Sequence, residues 1–346
     1  MIESILSVEL LGLGPELIAL FVAFGFMVGV FFGFFGMGGS FLVTPALLIL
    51  GYSAPVAIGS SMAFVFGTAV IATMKHHDAG QVDYRLGALM FVGITLGIEL
   101  GSRLVFGLEV LGIANVVVGV AYVLLLAAIG VLFTRSALQT DEGDGDGAGD
   151  EEAGSEDDDV PAIARRIQSY NLPPMMTLAD GSKASLWTIS GVGGGVGLVS
   201  GFLGVGGGFV RMPAIYYVIG TSLAAAVGTS LFGGLMSGAV GAFTYGRAGV
   251  IDMGVVTALL VGSALGARIG SSATAYVNED DVTIYFGIML LVASAAVGIS
   301  ELSAWLGIPI LDRLSFLLLV GSALLVCSMI LYHGALAVRR TRGVPE

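Results

Sequence analysis

The chain has 346 residues, 56% of them hydrophobic and only 12% charged, with 54 glycines and a mean hydropathy of +0.95. Soluble domains carry about twice that share of charge and about half that share of glycine, which excludes a water-soluble globular protein and points to an all-α polytopic membrane protein. The net charge of −12 says little about the fold, because residues 141–159 hold 11 of the 26 acids and no base, leaving 15 acids against 14 bases elsewhere.

In chain order, the first apolar run is residues 5–35. Glu3, Glu9 and Glu16 flank or enter it and no base precedes it, so it lacks the charged start of a cleaved signal peptide and reads as a retained membrane element. It runs into a glycine-rich turn at residues 33–40, GFFGMGGS. The short apolar stretch that follows, residues 41–50, is too short to cross about 30 Å of hydrocarbon and reads as a re-entrant half-helix. Such irregular backbone is tolerated at membrane depth only where protein buries it or it lines a wet cavity. Full spans are expected at 54–74, 86–106 and 112–133, and then the acidic run reads as a solvated linker whose like charges repel. Residues 185–219 repeat the hairpin, with GFLGVGGG at 201–208 and a short apolar stretch at 209–219. Spans at 223–244, 253–272, 282–300 and 313–338 complete the chain, the last holding the single cysteine, Cys327, which rules out an intramolecular disulfide and a cysteine metal cage.

The two hairpins are copies. Gly33 through Pro45 matches Gly201 through Pro213 at an offset of 168, and beyond one single-residue slip the match continues at 169. There Gly59-Ser60-Ser61 meets Gly228-Thr229-Ser230, Ala79-Gly80-x-x-Asp83 meets Ala248-Gly249-x-x-Asp252, and Gly97-x-x-x-Gly101 meets Gly266-x-x-x-Gly270. The organisation expected is therefore a first transmembrane repeat at 1–138, an acidic disordered cytoplasmic linker at 139–184, and a second transmembrane repeat with an extra C-terminal helix at 185–346. With both hairpins taken as re-entrant, Lys75, Arg85, Arg135, Arg165, Arg166, Lys183, Arg339, Arg340 and Arg342 fall on the cytoplasmic side, and only Arg247 and Arg313 fall outside. This positive-inside distribution favours a cytoplasmic C-terminus and linker. On this topology the hairpins enter from opposite faces, giving two inverted repeats with broken or re-entrant Gly-rich helices, the layout of alternating-access carriers.

The candidate substrate-binding residues are Gly36, Gly38, Gly39 and Ser40 in the first turn and Gly204, Gly206, Gly207 and Gly208 in the second. Successive glycines let backbone N–H groups converge on an anion, and a following helix start adds partial positive charge; the alternative role is close packing alone. Ser60, Ser61, Thr229 and Ser230 are either helix caps or hydroxyl donors to the same anion. Arg211, three residues past the second turn with Val43 as its repeat equivalent, either snorkels or faces the anion. Glu99, Arg103 and Arg268 are structural or coupling charges: Glu99 is the repeat equivalent of Arg268, which suggests an ion pair between them across the pseudo-symmetry, and it stands four residues before Arg103, which permits a local pair. His76-His77-Asp78 has no repeat equivalent and makes a poor metal site, and neither turn is followed by the Lys-Ser or Lys-Thr of a P-loop. No cofactor, metal, catalytic residue or nucleic-acid partner is implied, so the chain reads as a non-enzyme.

Together, the doubled Gly-Phe-Phe/Leu-Gly-x-Gly-Gly-Ser/Gly turn, Pro45/Pro213, the Gly-Ser/Thr-Ser triplets and the Ala-Gly-x-x-Asp loops resemble the TauE/SafE sulfite exporter family. The resemblance implies a multi-pass cell-membrane carrier of small sulfur-containing or organic anions such as sulfite or sulfonates; coupling to a proton or sodium is left open by the residues, and a passive anion channel is the alternative. The long acidic linker, Ser40 and Arg211 depart from the family pattern.

Overall fold

The computed structural model describes residues 13–35, 39–78, 83–143, 173–177, 183–221, 223–273 and 279–342. Eleven α-helices are present among them. In the first half these are α1 (Pro15–Phe35), α2 (Val43–Ile49), α3 (Ala54–Asp78), α4 (Tyr84–Val110) and α5 (Ala114–Gly143). In the second they are α6 (Leu186–Leu203), α7 (Gly208–Ala214), α8 (Leu223–Arg247), α9 (Met253–Ala273), α10 (Glu279–Leu306) and α11 (Pro309–Arg342). A 3-10 turn, Gly39–Leu42, leads into α2, and a π-helical turn, Ile215–Ile219, extends α7. The two short stretches foreseen after the glycine turns are thus short helices. Residues 144–172, which hold most of the acidic run, lie outside the described residues. At the end of the expected linker, Met175–Thr177 (β1) pairs antiparallel with Lys183–Ser185 (β2), placing Met175 opposite Ser185.

Local chemistry sets the helix ends. Asp83 caps α4, its carboxylate accepting from the Arg85 and Leu86 amides at 2.9 and 3.0 Å, and Asp252 caps α9 in the same way through Gly254 and Val255. The aspartates of the duplicated Ala-Gly-x-x-Asp loops are therefore N-caps. Among the described residues, seven helices (α1, α4, α5, α6, α9, α10 and α11) are long and apolar enough to cross a membrane. They include α1 and α6, the first arms of the two hairpins, so only the second arms are short.

The pairing of helices is unchanged when the halves are exchanged. Helix α1 packs along α9 while its copy α6 packs along α4; α3 pairs with its own copy α8, and α5 with its copy α10. Glycines spaced every four residues make the first two pairs possible. Gly25, Gly29 and Gly33 of α1 lie against Leu259, Ser263 and Ala267, and Gly262, Gly266 and Gly270 answer from α9 against Val22, Phe26 and Val30. In the copy of this seam, Gly93, Gly97 and Gly101 of α4 lie against Ser190, Gly194 and Leu198, and Gly193, Gly197 and Gly201 answer from α6 against Met90, Ile94 and Ile98. A methyl on Gly101 would lie 2.6 Å from the Leu198 carbonyl oxygen, and one on Gly29 would lie 2.6 Å from the Ser263 Cα. Helices in lipid gain little from burying apolar side chains against each other, so close backbone approach through small residues is what holds them. On the outer face of α4, Val92, Leu96, Leu100 and Leu104 are exposed at four-residue intervals, as suits contact with acyl chains.

Candidate functional site

The second glycine turn leaves α6 at Gly204, which ends the helix in the left-handed conformation with φ 76°. Gly206 and Gly207 follow at φ 63° and 76°. The turn packs against the middle of both central helices. Ser61 of α3 donates to the Gly204 carbonyl at 2.9 Å, and a methyl on Gly206 would meet Val65 Cγ1 at 2.5 Å. From α8, Ser230 donates to the Gly208 carbonyl at 3.1 Å and Ser237 to the Gly206 carbonyl at 2.6 Å. The two turns meet directly, since Ser40 of the first donates to the Val205 carbonyl of the second at 2.8 Å. Gly36 and Gly38 lie outside the described residues, and Gly39 begins the 3-10 turn that carries Ser40.

Arg211 neither snorkels nor reaches solvent: it is fully buried. Its guanidinium donates to the Ser230 carbonyl at 2.8 Å, to the Gly206 carbonyl at 3.1 Å and to Ser237 Oγ at 3.0 Å. Its Nε and the neighbouring Ser200 Oγ have no hydrogen-bond partner among the described residues, and no carboxylate there lies within ion-pair distance of it. A buried cation held only by neutral acceptors is costly. The positive charge of the site thus comes from a whole guanidinium, and the seven-residue helix α7 adds little. Between the turns, α3 and α8 is a small cavity of about 20 Å³, lined among others by Ser40, Thr68, Gly206, Gly208 and Ser230. That is room for one water-sized group.

The duplicated hydroxyls split into two roles, neither of them a cap, because α3 and α8 start six residues before Ser60 and Thr229. The first of each pair clasps the other half: the Asp252 amide donates to Ser60 Oγ and the Asp83 amide to Thr229 Oγ1, both at 3.0 Å. The second, Ser61 or Ser230, is tied to the glycine turn. Two buried tyrosines also brace the α6 end, Tyr245 donating to the Gly201 carbonyl at 2.6 Å and Tyr122 to the Leu203 carbonyl.

The remaining charges stand elsewhere. Glu99 pairs with Arg103 at 3.1 Å and approaches Arg247 at 3.9 Å, with 36% of its side chain exposed. The ion pair between Glu99 and Arg268 suggested by their repeat positions is not among those formed; Arg268 is exposed on α9. The repeat relation links equivalent places, and the seam that α4 makes is with α6, not with α9. Thr68, Ser200, Gly233 and Ser237 were missed from sequence. The available signal was, for Ser200 and Gly233, their departure from Phe32 and Phe64 at the equivalent first-half positions, and, for Thr68 and Ser237, that they are repeat equivalents which both carry a hydroxyl.

The fold and this joint define a duplicated all-α polytopic membrane protein whose two halves close around a glycine-lined, cationic centre. The chain belongs to the sulfite exporter TauE/SafE family, whose model matches residues 21–297. It is similar to proteins named as probable membrane transporters. The one from Xylella fastidiosa (strain Temecula1) is 29% identical over 211 residues, covering 58% of this chain and 66% of that protein. The strain 9a5c protein is 28% identical over 211 residues with the same coverage, so the chain spans just under two thirds of both Xylella relatives. A Bacillus subtilis relative, YunE, is 31% identical over 84 residues, 24% of this chain and 31% of its own. No solved structure matches the chain.

Proposed function

We propose that the chain is a secondary transporter of small sulfur-containing or organic anions, such as sulfite or sulfonates, working by alternating access around the joint of the two glycine turns. The observation that carries this reading is Arg211: a fully buried guanidinium with no acidic partner among the described residues, set where both turns meet both central helices. The anion's oxygens would take hydroxyl and backbone donors from Ser40, Ser61, Ser230 and the turns Gly36–Gly39 and Gly204–Gly208, after the hydroxyls exchange their present carbonyl acceptors for substrate. The exchange-symmetric helix pairing is what inverted repeats would give, with the C-terminus and linker in the cytoplasm as the arginine count favours.

The test is exchange flux of labelled sulfite or methanesulfonate in sealed proteoliposomes. Saturable counterflow is expected, lowered by Arg211→Gln at least tenfold more than by Arg268→Gln. Equal losses would move the site to the outer face of α9, and flux that grows with voltage without exchange would make the protein a channel.

The two amide-to-hydroxyl clasps, Asp252 to Ser60 and Asp83 to Thr229, make a second expectation. If the repeats are inverted, one clasp closes each face, so Ser60→Ala and Thr229→Ala should bias the protein toward opposite openings. Cysteines placed at 56 and 88 should then label in opposite patterns with a membrane-impermeant thiol reagent in the two variants. Identical labelling would argue against gates on opposite faces.

A further inference from the structure

The two halves differ most at the guanidinium. Arg211 stands where the first half has Val43, Gly233 where it has Phe64, and Ser200 where it has Phe32. All three first-half residues are buried and apolar. In the second half the space of two rings holds the charge: a methyl on Gly233 would lie 2.7 Å from Arg211 Cδ and 2.8 Å from Nε. A methyl on Gly207 would lie 2.5 Å from Ser200 Oγ and 2.7 Å from the Arg211 NH2 nitrogen. The chamber is therefore fitted to this side chain on both sides, and its hydrogen bonds go to two carbonyls and one hydroxyl, none of which neutralises it. The small cavity near it is lined mainly by apolar side chains and glycines, with Ser40, Thr68 and Ser230, and no charged residue is among its lining.

Resting on the transporter reading above, we propose that this chamber selects anions by charge. The loaded site is electrically neutral with a monoanion, such as a sulfonate, a carboxylate or hydrogen sulfite. A dianion enters only with an accompanying proton or metal cation. One negative charge beside Arg211 cancels the cost of burying either ion alone, whereas a second would stay uncompensated where the surroundings cannot solvate it. Shape supports the same selection less strongly, because tetrahedral sulfonate and sulfate both place three oxygens on one face.

Calorimetric binding of methanesulfonate and of sulfate to the full-length protein in nanodiscs, in sodium-free buffer at neutral pH, tests this. Methanesulfonate should bind at least ~10-fold more tightly, and sulfate binding should be accompanied by proton uptake, seen as a binding heat that changes with the buffer's ionisation enthalpy. Two variants isolate the chamber. Arg211→Lys should keep the preference at reduced affinity. The triple change Arg211→Val, Gly233→Phe and Ser200→Phe restores the apolar packing of the first half and should give a monodisperse protein that binds neither anion. Sulfate bound by the wild type as tightly as methanesulfonate without proton uptake overturns the charge selection alone. So does a triple variant that keeps the preference. A wild type that binds neither anion overturns the anion-transporter reading itself.

Discussion

Gly266→Leu should eliminate folded protein from the membrane, whereas Gly195→Leu should leave it at wild-type levels. A side chain begun at Gly266 runs into backbone of α1: the added Cβ would meet the Phe26 carbonyl and lie 2.9 Å from the Val30 amide. Overpacking costs about 1–3 kcal/mol where neighbouring side chains can move aside. Here the obstacle is the backbone of a helix, so α1 must separate from α9 along the whole seam of Gly262, Gly266 and Gly270. Nothing comparable in apolar attraction replaces the lost contact in lipid. Gly195 lies one residue from Gly194 in the equivalent seam helix α6, yet an added Cβ there meets nothing within 4 Å. The measurement is the monodisperse peak of a fluorescently tagged chain on size exclusion after detergent extraction. Gly97→Leu, the repeat equivalent in the α4–α6 seam, should fail as Gly266→Leu does. Survival of either at normal yield would show that these seams are looser than they are drawn.

The seams also mark what the sequence made visible and what it hid. Spacing and hydropathy exposed the duplication, the spans and the two short arms, because those are properties of contiguous residues. The Gly97/Gly101 and Gly266/Gly270 pairs were visible as repeated spacings. Their partners were not, since Gly25, Gly29 and Gly33 look the same as any glycines in an apolar run until α9 lies against them. Equivalent repeat position suggested a pair between Glu99 and Arg268, but equivalence predicts like environments and not contact. Helix α4 packs on α6, so Glu99 finds Arg103 on its own helix and Arg247 beyond it. The site divides in the same way. The turns and the Ser/Thr pairs stand out through repetition, and Ser40 does meet the second turn. Ser200, Gly233 and Ser237 do not repeat a motif; they matter because they surround Arg211, a relation between three separate helices.

Gly206→Ala should abolish anion-dependent stabilisation of the folded protein while leaving the two glycine seams assembled. Gly206 sits at φ 63°, and holding a residue with a Cβ in this left-handed region costs about 1–2 kcal/mol. The new methyl would also lie 2.5 Å from Val65 Cγ1 and 3.1 Å from Val65 Cβ. Either the turn or α3 must shift. A shift of the turn carries away the carbonyl that accepts from both Arg211 and Ser237, and so releases the guanidinium from its fixed place. The double variant Gly206→Ala with Val65→Ala separates the two causes. It removes the contacts with the Val65 γ-methyls and leaves the 3.1 Å approach to Cβ and the backbone strain, so partial recovery of the thermal shift with methanesulfonate would assign the defect to packing against α3. No recovery would assign it to the turn's left-handed backbone. A single variant that keeps the full ligand-dependent shift would mean that the geometry of this turn does not govern binding, and the site would have to be sought away from the joint.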